Sequence, residues 1–177
     1  MTAATIASAL QRARSVLGRR PEAALRPDPP ATAHWEQGTR VVVRHASGRQ
    51  VTTDMAPELG GAGDQVSPGW LLRAAMASCL ATRIVMEAAE RRIVLTTLQV
   101  EATSISDARG LLGITDGTGA RILPEPREVE LCVRIAAGDI PPDRLHALVE
   151  DSFRCSPVSA AVERAVPVSL LVQANPD

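Results

Sequence analysis

Cys79, Cys132 and Cys155 are the only strong nucleophiles in this chain of 177 residues, because all 19 of its basic residues are arginine and none is lysine. An amine nucleophile or a Schiff-base lysine is therefore excluded. A thiol does chemistry as its thiolate, and an unperturbed thiol is only a few per cent ionised at pH 7. An apolar setting disfavours the anion further. A reactive cysteine here thus needs a partner that prefers the charged sulfur. Lowering a thiol by two pH units takes about 2.7 kcal/mol, which a guanidinium in a poorly hydrated pocket can supply. No C-x-x-C pair occurs and no histidine stands beside a cysteine; His34, His45 and His146 are scattered. This argues against a metal site, a cofactor thiol motif or a disulfide scaffold, and it fits a thiol-reduced cytoplasmic protein.

The three thiols are not equivalent. Cys79 lies in an apolar stretch with Leu72, Met76 and Met86 on its face, where by residue type alone a cysteine packs as a small hydrophobe. Cys132 sits in a strand pattern with no supporting motif. Cys155 precedes Ser156-Pro157, at the mouth of a helix, where backbone amides favour an anion.

Composition narrows the function classes. With 45 % apolar and 22 % charged residues the chain is an ordinary globular one, long enough for a single compact core. A net charge of −1 gives no field to draw it onto nucleic acid or an anionic membrane. Tyrosine is absent and Phe153 is the only phenylalanine, so a base-stacking platform is not expected. The first 17 residues lack the apolar run of a secretory signal, and the apolar stretch over 69–89 is interrupted by Arg73, Arg83 and Glu87, against a membrane span.

The elements that must position these thiols are legible. Thr5 to Leu17 suits a short amphipathic helix, followed by Pro21, Pro27, Pro29 and Pro30, so residues 1–30 read as an N-terminal helix and Pro-rich connector attached to a main domain over 31–177. Thr32 to Ala56 reads as strands, with a hairpin turn at His45-Ala-Ser-Gly48. Ser67-Pro68 opens a helix to about Arg92, apolar nearly all round over its first four turns and therefore expected to be buried, with Arg83 and Glu87 emerging into water. Strands follow over Leu95–Ser106 and Glu128–Ile135, then a helix from Pro141-Pro142, a short helix from Ser156-Pro157, and a closing strand over Val166–Gln173. Helices and strands are segregated, which favours an α+β fold.

The run Leu59-Gly-Gly-Ala-Gly63, then Ser67-Pro68-Gly-Trp-Leu-Leu-Arg-Ala-Ala-Met-Ala-Ser-Cys79, with the late Cys155-Ser-Pro-Val-Ser159, resembles the OsmC/organic hydroperoxide resistance (Ohr) family, and Asp107-Ala-Arg-Gly110 resembles its OsmC-like subgroup. The resemblance covers about residues 32–172. It implies an intertwined homodimer in which long central helices are enclosed by antiparallel sheets of both chains. It implies further that Cys79 attacks the O–O bond of an organic hydroperoxide, that Cys155 resolves the resulting sulfenic acid as a disulfide, and that a dithiol reductant resets the pair. The family's activating arginine comes from the first hairpin, which points to Arg40, with Arg44 as the alternative. Trp70, Leu72, Met76 and Met86 are the apolar neighbours expected to receive the organic tail.

Two positions depart from the family pattern. Gly69 stands where hydroperoxide-resistance members carry a glutamate, and Ser156 separates Cys155 from Pro157 where the family has Cys-Pro. With Pro157 first in its helix, Ser156 becomes the N-cap and Cys155 falls outside. The leading expectation is a thiol-dependent peroxidase for organic hydroperoxides, serving oxidative-stress defence without a cofactor. The alternatives are a non-catalytic dimer that binds a small apolar ligand at the subunit interface, and an interaction scaffold docked through the N-terminal helix.

Overall fold

The computed structural model describes residues 2–174; the last three residues of the expected main domain lie outside it. Helix α1 (Ala3–Arg19) is capped by Thr2, whose side chain accepts from the Thr5 amide, and a 3-10 turn over Pro21–Ala24 follows. Strands β1 (Ala31–Gln37), β2 (Arg40–His45) and β3 (Gln50–Thr53) form one antiparallel sheet in that order. Helix α2 (Pro68–Glu90) is the long central element. Strands β4 (Thr97–Ile105) and β5 (Glu128–Ala136) pair antiparallel, with Val100 opposite Val133 and Glu101 opposite Cys132. The connection between them carries a short helix α3 (Ala108–Leu111), and the described chain ends through α4 (Pro142–Arg154) and α5 (Pro157–Glu163).

The α+β reading, the central helix and the antiparallel sheets are as the sequence predicts. The hairpin over 32–56 is one strand richer: β1 pairs with β2 through a tight turn at Gly38, where Trp35 Nε1 donates to the Gly38 carbonyl at 3.0 Å. Gly38 adopts a φ of +53°, which favours glycine. The expected closing strand over Val166–Gln173 does not form in the single chain, where residues 166–174 carry no regular structure. A strand needs a ladder partner for its backbone groups, and this segment has none within its own fold.

The core forms where one stripe of α2 meets β4, β5 and α4. Leu80, Ile84 and Ala88 recur at four-residue spacing and pack with Ile93, Ala137, Leu145 and Leu148. Leu98, Val100, Leu131, Val133 and Ile135 close the cluster from the sheet, at the alternating positions a half-buried strand presents. Burial of α2 is thus one-sided in the single chain, because Trp70, Leu72 and Val85 are exposed. Helix α1 lies against α2, and Arg14 meets Glu90 there at 2.7 Å. By length and apolar content α2 would pass for a membrane span, at a mean hydropathy of 1.2. Its Arg83–Glu87 ion pair and its packing against sheet and helices are those of a core helix.

Candidate active site

Cys79 sits on α2 one residue before the buried Leu80, on a flank of the helix that is half-buried and faces the α4–α5 junction. A cavity of about 530 Å³ opens there, lined among others by Cys79, Arg83, Met86 and Cys155. The fold therefore brings two of the three expected site residues, Cys79 and Cys155, to one cavity. Cys155 is the C-cap of α4, exposed at the rim, with its amide donating to the Ser152 carbonyl at 3.2 Å. Pro157 does begin α5, which leaves Cys155 outside that helix.

The side chain that faces Cys79 is Ser156. Its Oγ donates to Cys79 Sγ at 3.3 Å and lies 3.0 Å from Ser159 Oγ. Ser156 and Ser159 are both buried, so each hydroxyl must find its partner inside the protein. The chain's two Ser-Pro helix openings differ in what the serine does. Ser67 caps α2 in the usual way, accepting from the Trp70 amide at 3.2 Å. Ser156 occupies the same position before α5 but makes no capping bond with its side chain. A serine cap stabilises a helix by about 1 kcal/mol, and α5 forgoes that contribution while the hydroxyl is turned to the sulfur.

Arg83, one helical turn beyond Cys79, lines the same cavity. Its Nη2 donates to Glu87 at 3.3 Å, its Nη1 approaches Met86 Sδ at 3.9 Å, and its Nε is buried without a hydrogen-bond partner. The expectation that Arg83 and Glu87 emerge into water is corrected: their side chains are 17 % and 16 % exposed. The four-residue spacing from Cys79 is the signal that identifies Arg83. Of the apolar neighbours expected around the thiol, Met86 lines the cavity, Met76 is buried in the core, and Trp70 and Leu72 point to solvent in the single chain.

Arg40 is placed elsewhere in the chain. It bonds Asp54 at 3.2 Å and also Asp64, beside the Gly60-Gly61 loop, and does not line the Cys79 cavity. Asp54 is buried and accepts from Thr39 Oγ1 at 2.5 Å, the Met55 amide at 2.8 Å and the Ala62 amide at 3.0 Å. The Thr39 hydroxyl first, then the Ala62 and Met55 amides and Arg40, hold its carboxyl well below the usual carboxylate range, against the opposing effect of burial. The two carboxylates in turn push the Arg40 guanidinium up, Asp64 foremost. Gly61 is required in this clamp, because a Cβ there would stand 1.9 Å from the Met55 carbonyl oxygen. Arg44 is exposed and reaches only Gln50, at 3.4 Å. Cys132 lies on the outer face of β5, exposed. Among the described residues, no cluster of three or more His, Cys, Asp or Glu side chains is arranged to hold a metal ion.

A central helix packed on one side against an antiparallel sheet and later helices, with a hydrogen-bonded thiol at the junction of two of those helices, defines an α+β protein with a cysteine in its cavity. The OsmC-like protein family matches residues 61–171, and the chain belongs to that family. Among solved structures it is similar to an organic hydroperoxide resistance protein OsmC, described as a predicted redox protein, from Legionella pneumophila (21 % identity, 78 % of this chain and 90 % of that one, TM-score 0.56). It is similar also to an OsmC-like protein from Mycoplasma pneumoniae (14 %, 78 % and 89 %, TM-score 0.65). A third is an organic hydroperoxide resistance protein from Elizabethkingia anophelis (18 %, 78 % and 89 %, TM-score 0.56). At these identities the likeness is one of fold. No curated protein matches this sequence.

Proposed function

We propose that the protein is a cytoplasmic thiol-dependent peroxidase that reduces organic hydroperoxides, with Cys79 as the attacking thiol. The observation that carries this reading is the sharing of one solvent-open cavity by Cys79, Cys155 and Arg83. The Cys79 thiolate attacks the outer peroxide oxygen, the O–O bond breaks, and the alkoxide leaves and takes up a proton as the alcohol. The sulfenic acid left on Cys79 condenses with the Cys155 thiol, releasing water and forming a disulfide. A dithiol reductant then reduces that bond and is itself oxidised. Met86 favours an alkyl peroxide over hydrogen peroxide, at about 0.8 kcal/mol per methylene buried.

Two arginines are candidates for the charge that favours the thiolate. Arg83 lies in the same cavity of the same chain. Arg40 acts only across an interface, on a second copy's thiol, in the intertwined homodimer that this reading includes. The exposed Trp70, Leu72 and Val85 on α2, together with the wholly exposed β1, support such a homodimer.

The test supplies cumene hydroperoxide and dihydrolipoamide and compares wild type with Cys79→Ser. Turnover is expected to fall at least a hundredfold in the variant, and equal rates would remove the reading. A second reading, a non-catalytic dimer that binds a small apolar ligand, is favoured by one observation: the group facing Cys79 is a hydroxyl, not a thiol. Mass spectrometry after peroxide treatment separates the two. A Cys79–Cys155 bond supports the enzyme, and unmodified thiols support the binder.

A further inference from the structure

We infer that Ser156, backed by Ser159, is the hydrogen-bond donor that holds the Cys79 sulfur in its reactive, anionic form. The inference rests on the reading of Cys79 as the reactive thiol and adds the group that makes it so. A hydroxyl carries one proton. If Ser156 Oγ gives its proton to Cys79 Sγ, the contact between Ser156 and Ser159 must run the other way, with Ser159 donating. The charged sulfur therefore sits at the end of a two-hydroxyl chain aimed at it. When the sulfur is protonated the order can reverse, S–H to Ser156 and Ser156 to Ser159, without any heavy atom moving. The pair thus accommodates both protonation states but favours the anion, because a hydrogen bond to a charged acceptor is about twice as strong as one to a neutral acceptor.

Burial makes the arrangement specific. Ser156 is 0 % exposed and Ser159 1 % exposed, so water does not compete for either hydroxyl. The uncapped start of α5 is the structural sign that Ser156 has been given this duty. Ser156 touches the reacting atom. Ser159 acts through Ser156 and is a positioning residue.

The experiment is alkylation of the full-length protein by iodoacetamide across pH 5.5–9.5, a range chosen to bracket an ordinary thiol at roughly 8.5. It is read peptide by peptide, since Cys79, Cys132 and Cys155 each fall in a separate tryptic fragment. For Ser156→Ala, the Cys79 rate at pH 7 is expected to fall about tenfold, with its pH profile displaced about one unit toward alkali, as loss of a hydrogen bond to a charged group predicts. Ser159→Ala is expected to give a smaller displacement in the same direction. Cys132, already exposed, should keep its wild-type profile in both as an internal reference for the reagent, and an unchanged melting temperature excludes a general loosening of the fold. A Cys79 profile unmoved in Ser156→Ala overturns the inference, and should that variant fail to fold, an unmoved profile in Ser159→Ala does so. Because the readout needs no peroxide, it stands apart from the turnover test. Wild-type protein without peroxidase activity removes the proposed function, and an active enzyme with unmoved profiles removes only the role of the serines.

Discussion

At the scale of single residues, the clearest contrast is between Arg40 and Arg83. Arg40 meets two carboxylates, and one of them, Asp54, accepts hydrogen bonds from three further donors, the Thr39 hydroxyl and the Met55 and Ala62 amides, so that it stays ionised. This is a clamp that ties β2 to the Gly60-Gly61 loop. The folded Asp54 carboxyl lies below its unfolded value near 4, so the clamp stabilises fully above that value and its contribution is lost as pH falls from about 4 toward the depressed folded value. Asp54→Asn should therefore lower the melting temperature by several degrees at pH 7. The gap to wild type should narrow below about pH 4, where Asp54 of the unfolded wild-type chain takes up a proton that the folded carboxylate still refuses. Melting curves from pH 7 to pH 3 check this, and a gap that stays constant over that range would show the carboxylate's charge to be irrelevant to the clamp.

At the scale of elements, α2 carries both the core and the thiol on adjacent flanks. Ile84 is fully buried in the centre of the stripe that meets α4 and the β4–β5 sheet. Ile84→Ala should cost about 2–5 kcal/mol, measured by urea unfolding, because a cavity there cannot collapse against both sheet and helix. Its location was legible from the sequence, since Leu80, Ile84 and Ala88 repeat at helical spacing and Ser67-Pro68 marks where that helix begins. So were the alternation of β5 and the isolation of Cys155 from α5. The partner of Cys79 was not legible. A Ser-Pro pair signals a capped helix start, and nothing local distinguishes Ser67, which caps, from Ser156, which turns to a sulfur 77 positions away. The burial of Arg83 was obscured in a similar way. A charged residue near the end of an apolar run reads as solvated, and only the packing of α5 beside Cys79 shows that this flank of α2 is covered.

At the scale of the whole molecule, the single chain leaves apolar surface that a stable fold rarely exposes. Val168, Leu170, Leu171 and Val172 follow one another in the C-terminal segment, each more than 70 % exposed, and β1 presents an open edge with Trp35 uncovered. Contiguous apolar surface of this kind marks an interaction site, and a segment with strand-forming residues but no ladder of its own leaves its backbone groups open to pairing. In the proposed homodimer the two needs are met together: the tail gains backbone partners, and the bare flank of α2 gains a cover. Wild-type protein should accordingly elute with light-scattering mass near twice the 18.7 kDa of one chain. Leu170→Asp should shift it toward monomer at micromolar concentration, since burying an unpaired carboxylate costs several kcal/mol. The same variant distinguishes the two arginines. If Arg83 alone supplies the charge at Cys79, monomeric Leu170→Asp keeps the wild-type alkylation rate of that thiol. If Arg40 reaches across the interface, the rate falls as the dimer dissociates. A wild-type protein that runs as a monomer at all concentrations would leave Arg83 as the cation and remove the interface from the account.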